Sequence, residues 1–189
     1  MYKRQRAYGH AVNLAREAGF DAVEIHAGHG YLISQFLSPY TNRRKDCFGG
    51  SLENRMRFMD MVMEEVMKAA GTDMAVLVKV NMRDGFRGGM EMDETMQVAK
   101  RLEQSGAHAL VLSGGFVSKA PMYVMRGQMP IHSMTHYMNC WWLKYGVRMV
   151  GKWMIPTVPF KEAYFLEDAL KFRAEIKMPL VYVGGLVSR

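Results

Sequence analysis

Two histidines and a tyrosine fall within six residues, in the run Glu24-Ile25-His26-Ala27-Gly28-His29-Gly30-Tyr31. The imidazoles of His26 and His29 and the phenol of Tyr31 can all donate hydrogen bonds or pass protons. Three such donors crowded into the loop that leaves one strand make it an active-site candidate. Gly28 and Gly30 keep the backbone between them bare, which leaves room for a ligand. Two readings of the pair stand side by side: ordinary polar side chains closing a strand, or a ligand site.

The elements that must position these groups are legible around them. Residues 21–26 form a short apolar run bounded by Gly19, which predicts a buried strand ending at His26. In parallel α/β folds the carboxyl ends of the strands are where ligands bind. Residues 3–17 predict a helix, with Ala7, Ala11, Val12, Leu14 and Ala15 as its apolar stripe. A helical turn is expected over 31–37. Ser51 is placed to cap a helix reaching Ala70, whose inner stripe is Met56, Met59, Met63, Val66 and Met67. Residues 74–80 (MAVLVKV) read as a parallel strand covered on both faces, interrupted near its end by Lys79. Asp93 is expected to cap a helix to Ser105, and residues 109–112 form a third strand followed by Ser113-Gly114-Gly115. A helix over 161–177, with Ala163, Leu166, Leu170 and Ile176 as its apolar positions, precedes a fourth strand over 179–183 that ends in Gly184-Gly185.

Residues 116–160 break this rhythm. They hold Trp141, Trp142 and Trp153 and are punctuated by Pro121, Pro130, Pro156 and Pro159. So long a structureless loop is rare in a compact domain. Short helical pieces, one of them over 131–145, are expected to fold over the strand ends as a lid. Packing against neighbouring helices ranks ahead of a substrate role for the aromatics, and a membrane-surface role ranks last.

Beyond the first loop, the ordered runs H-A-G-H-G-Y-L, Q-F-L-S-P-Y-T-N-R-R and F-G-G-S-L-E-N-R resemble the signature region of the old yellow enzyme family. Those enzymes are FMN-dependent (β/α)8 barrels that reduce activated C=C bonds with NAD(P)H. The resemblance implies that His26 and His29 hydrogen-bond the oxygen of an electron-poor alkene or carbonyl substrate and that Tyr31 protonates the α-carbon. It places Lys79 where the family usually carries an arginine beside the flavin; the alternative is a strand-end lysine reaching to solvent. It assigns Gly184 and Gly185 to the turn whose N–H groups help hold the FMN phosphate. Arg43, Arg44, Asn54 and Arg55, also in the matched region, are expected to tie the loop to the barrel. Ser113 and Gly114 could line the flavin edge.

The chain has 189 residues, of which 49% are apolar and 23% charged, as in an ordinary globular protein. A full barrel needs about 250 residues. The expected fold is therefore α/β, one partial TIM-barrel domain over 1–189 corresponding to strands four to seven, with 116–160 as its excursion. Its rivals are a non-catalytic half-barrel lacking a full FMN site, which would need a partner or self-association as a homo-oligomer, and a basic anion-binding module. The net charge of +7 is scattered, with no basic run longer than Arg43-Arg44-Lys45, which argues against nucleic acid. No stretch is apolar enough to span a bilayer, and no membrane partner is expected. Cys47 and Cys140 are too few for a disulfide framework or a CxxC metal site, which points to a reducing, cytoplasmic setting.

Overall fold

The computed structural model describes residues 3–127, 130–154 and 157–188. Pro156, named above, lies outside them. Four parallel strands form one sheet in the order β1 (Ala22–His26), β2 (Ala75–Asn81), β3 (Ala109–Ser113), β4 (Leu180–Tyr182). Each follows a helix that crosses back over one face: α1 (Arg4–Glu17), α3 (Leu52–Ala70), α4 (Met92–Gln104) and α8 (Leu166–Glu175). This is a run of βαβ units, an open arc of a parallel barrel.

The core lies between the sheet and these helices. Val76, Val78 and Val80 of β2 are buried at alternate positions, toward α3 and α4. On α3 the buried set Met56, Phe58, Met59, Val62, Met63 and Val66 repeats with helical period. Ser51 caps this helix as expected, its hydroxyl accepting from the Asn54 N–H.

Several local expectations need correction. The second face of β2 is not fully covered: Leu77 is only half-buried, and Val181 of β4 is exposed, whereas β3 is buried at all five positions. On α1 the buried face is Gln5, Gly9 and Val12, while Ala7, Ala11 and Leu14 face out. Helix α4 is entered from Glu91, which places Asp93 in the first turn as a dipole partner and not as the cap. Helix α8 starts at Leu166 because Ala163 sits at φ 52°, its N–H held by the Gly185 carbonyl. Its inner face is Ala169 and Phe172, with Leu166 and Leu170 exposed. The single helix expected over 131–145 is two, α6 (Ile131–His136) and α7 (Trp141–Met154). A short α2 (Leu32–Leu37) follows the first loop, and a one-turn α5 (Pro121–Val124) opens the excursion.

Candidate active site

The carboxyl ends of the strands line up His26, Asn81, Ser113 and the Gly184-Gly185 turn along one edge of the sheet. The loop leaving β1 folds back on itself there. The ring of His26 meets that of His29 at 5.0 Å and that of Tyr31 at 4.8 Å, both edge-on. The three side chains singled out by spacing are thus brought into one cluster, with Tyr31 remaining 55% exposed.

Local hydrogen bonds fix the rings. The Gly28 N–H donates to His26 Nδ1 at 3.2 Å, so neutral His26 carries its proton on Nε2 and presents that N–H as its donor. His29 sits in the left-handed region at φ 57°. Its N–H donates to Asn81 Oδ1 at 2.9 Å, its carbonyl accepts from the Val117 N–H, and its Nε2 lies 2.7 Å from Ser113 Oγ. Asn81 holds this backbone because it is held in turn, donating through Nδ2 to Asp84 Oδ1 and to the Gly115 carbonyl, both at 2.9 Å. Asp84 also accepts from Ser38 Oγ at 2.7 Å and from the Met90 N–H at 2.8 Å. Ser38, Asn81 and Asp84 are all buried, so the network is satisfied away from water.

An aromatic wall completes the loop. Phe116 lies so close over Gly30 that a Cβ there would approach its ring to 2.5 Å, and Gly30 itself needs φ 83°. The ring of Phe86 bridges Phe116 and Tyr40. Asn81, Asp84 and Phe116 escaped the sequence reading; an Asn ending an apolar strand, opposite a loop with paired histidines, was the available signal.

Both imidazoles are held neutral. Burial, then the charge of Lys79, lowers the pKa of His26; burial, then His26 and Lys79, lowers that of His29 to about 4. Lys79 is the register partner of His26, and its Nζ pairs with Glu24 at 2.6 Å.

Gly184 and Gly185 stand apart from this cluster. Three strand spacings, about 14 Å, separate the ends of β1 and β4. The carbonyls of the glycine turn accept from Tyr164 and Ala163, whereas its two N–H groups find no partner among the described residues. Gly185 adopts φ 70°, and a Cβ on it would collide with Tyr164 and Phe160. Two successive N–H groups without a partner suit an anionic oxygen. At the positions the resemblance assigns to FMN, the structure thus has two N–H groups without a partner among the described residues, at Gly184 and Gly185, and one cation, Lys79.

The remaining matched residues are structural. Arg55, buried, donates to the Leu37 and Gly50 carbonyls and pairs with Glu94. Asn54 donates to the Gly49 carbonyl, Arg43 to the Tyr40 carbonyl, and Arg44 pairs with Asp46. Together they pin the long loop between α2 and α3.

Known proteins bear on this arrangement. The chain is 40% identical over 174 residues to the 4,4'-dithiodibutanoate disulfide reductase of Rhodococcus erythropolis, covering 92% of this chain and 43% of the relative. It is 40% identical over 118 residues to an NADPH dehydrogenase of Halalkalibacterium halodurans, covering 62% of this chain and 34% of that protein. The old yellow enzyme homologue of Zymomonas mobilis superimposes with a TM-score of 0.64 at 24% identity, over 98% of this chain and 42% of that one, a likeness of fold. The chain thus spans less than half the length of these relatives, and its sheet is an arc of their TIM barrel. Residues 2–148 match the NADH:flavin oxidoreductase / NADH oxidase family, FMN-dependent enzymes reduced by NAD(P)H, and the chain belongs to that family.

Proposed function

We propose that this chain forms the acceptor-binding part of an ene reductase, which reduces C=C bonds activated by a neighbouring carbonyl or nitro group. The observation that carries the reading is the ring cluster at the end of β1, in which His26 meets both His29 and Tyr31. Bound FMN, reduced by NAD(P)H, would supply the hydride. As negative charge grows on the acceptor oxygen, the Nε2–H of His26 and an N–H of His29 stabilise it. Neutral imidazoles donate without surrendering a proton to the bound oxygen, which leaves the proton for the α-carbon to Tyr31, exposed at the mouth of the site. Lys79, clamped by Glu24, sets a fixed positive charge beneath the histidines.

The chain forms one partial TIM-barrel domain over 1–189. The first part of the excursion serves as its lid: Phe116 walls the loop, and the Tyr123 ring nests against Gly114 and Gly85. The free thiols Cys47 and Cys140 suit a reducing cytoplasmic setting.

A disulfide is the second acceptor to consider, because the relative matched over 92% of this chain is named for one. Its leaving thiolate could use the same two donors. The FMN-loaded full-length polypeptide should be assayed for NAD(P)H oxidation with cyclohexenone and with a dialkyl disulfide. Faster turnover of the enone is expected. Turnover of the disulfide alone would reassign the acceptor, and turnover of neither would leave the half-barrel without the proposed activity.

A further inference from the structure

Helix α7 (Trp141–Met154) is turned with its apolar face away from the protein. Trp141, Tyr145, Met149 and Trp153 recur every four residues, and Trp141, Met149 and Trp153 are 72%, 75% and 91% exposed. Trp142 is exposed beside them. At 100° per residue these five side chains occupy one arc of about 120°. The side of the helix next to Trp141 makes the protein contacts. Gly151 is buried against Ile131 of α6, and a Cβ there would lie 3.1 Å from the Ile131 side chain. Arg148 Nε donates to Thr135 Oγ1 at 2.9 Å, and Lys144 Nζ reaches the His136 carbonyl. Plain packing of the aromatics, expected from sequence, is therefore not what the structure shows.

The stretch of sequence that carries this arc has charge of one sign. No Asp or Glu occurs between Glu103 and Glu162, while Lys119, Arg126, Lys144, Arg148, Lys152 and Lys161 fall within the interval. Tryptophan and tyrosine combine an apolar body with a polar edge and settle at the headgroup level of a bilayer, and flanking bases add attraction to anionic lipid. No described helix is long and apolar enough to cross a membrane, so the mode is to lie on the surface. We propose that the α6–α7 hairpin docks this protein on an anionic membrane surface, with the Trp141–Trp153 arc entering the headgroup region. A nucleic acid would use the bases but leaves the methionine and tryptophan arc without a role. The proposal is independent of the acceptor chemistry at His26 and His29.

The test is flotation of the FMN-loaded full-length polypeptide with vesicles of phosphatidylcholine, with and without 30% phosphatidylglycerol, alongside gel filtration. Binding to the anionic vesicles, a blue shift of tryptophan emission and release by salt are expected. Trp153→Glu should weaken partitioning by about tenfold or more, since a buried Trp contributes well over the 1.4 kcal/mol that corresponds to tenfold. NAD(P)H oxidation by the variant should stay at the wild-type rate, which shows that it folds. No flotation with anionic vesicles, flotation unchanged by Trp153→Glu, or a dimer in which the tryptophans are already shielded from quencher would overturn it.

Discussion

His29 and Ser113 reach each other across an intervening strand: His29 Nε2, in the loop after β1, lies 2.7 Å from the hydroxyl that ends β3. The contact spans the end of β2 and fixes the plane of the ring on which the proposed chemistry depends. A hydrogen bond of this kind contributes about 0.5–1.5 kcal/mol. Ser113→Ala in the FMN-loaded full-length polypeptide should therefore weaken, by about three- to tenfold, the binding of a phenol, whose oxygen stands in for the proposed acceptor oxygen. Thr at this position should restore most of it, and an isothermal titration of the three proteins measures the difference.

Both imidazoles resist protonation in the fold, with His29 lowered to about 4 from an ordinary value of 6.5. Below pH 6.5 the unfolded chain takes up these protons first, so stability is full above that pH and falls as pH drops toward 4. Urea denaturation at several pH values should show this slope, and His29→Asn should flatten it. A slope unchanged in the variant would place the acid sensitivity elsewhere.

Arg55 is buried, binds two carbonyls and pairs with Glu94. Removing one partner of a buried ion pair costs about 3–5 kcal/mol. Arg55→Ala should lose about that much in denaturant unfolding. Arg55→Lys should recover little, because an ammonium cannot replace the planar fork.

Asn81 carries the left-handed backbone of His29. Asn81→Ala leaves that N–H and one oxygen of buried Asp84 without a partner, at about 1–3 kcal/mol for each unsatisfied group. Lower stability together with weaker phenol binding is expected. Asn81→Asp should fare no better, since it sets a second carboxylate beside Asp84.

Much of this was legible before the structure. The strand ending at His26 and the Ser51-capped helix follow from local pattern, since apolar period and capping residue agree there. The His26, His29, Tyr31 cluster was legible because all three sit in one loop. Asn81 and Phe116 were not, because each becomes part of the site only when parallel pairing brings three strand ends side by side. The faces of α1 and α8 were misjudged at Leu14, Leu166 and Leu170, whose exposure depends on which neighbour each helix meets. The helix α7 over Trp141–Met154 was not legible as such, since the expected piece ended at 145, and period alone cannot say whether an apolar stripe faces core or solvent.

The central claim is that His26 and His29 jointly hold the acceptor oxygen. The direct measurement is a phenol titration of the FMN-loaded full-length polypeptide, wild type against His26→Ala/His29→Ala, followed by flavin absorbance. Two hydrogen bonds to a charged oxygen contribute about 1.5–3 kcal/mol each, so the account predicts a loss of about a hundredfold or more in affinity. Undiminished phenol binding by a double variant that still retains FMN would contradict it.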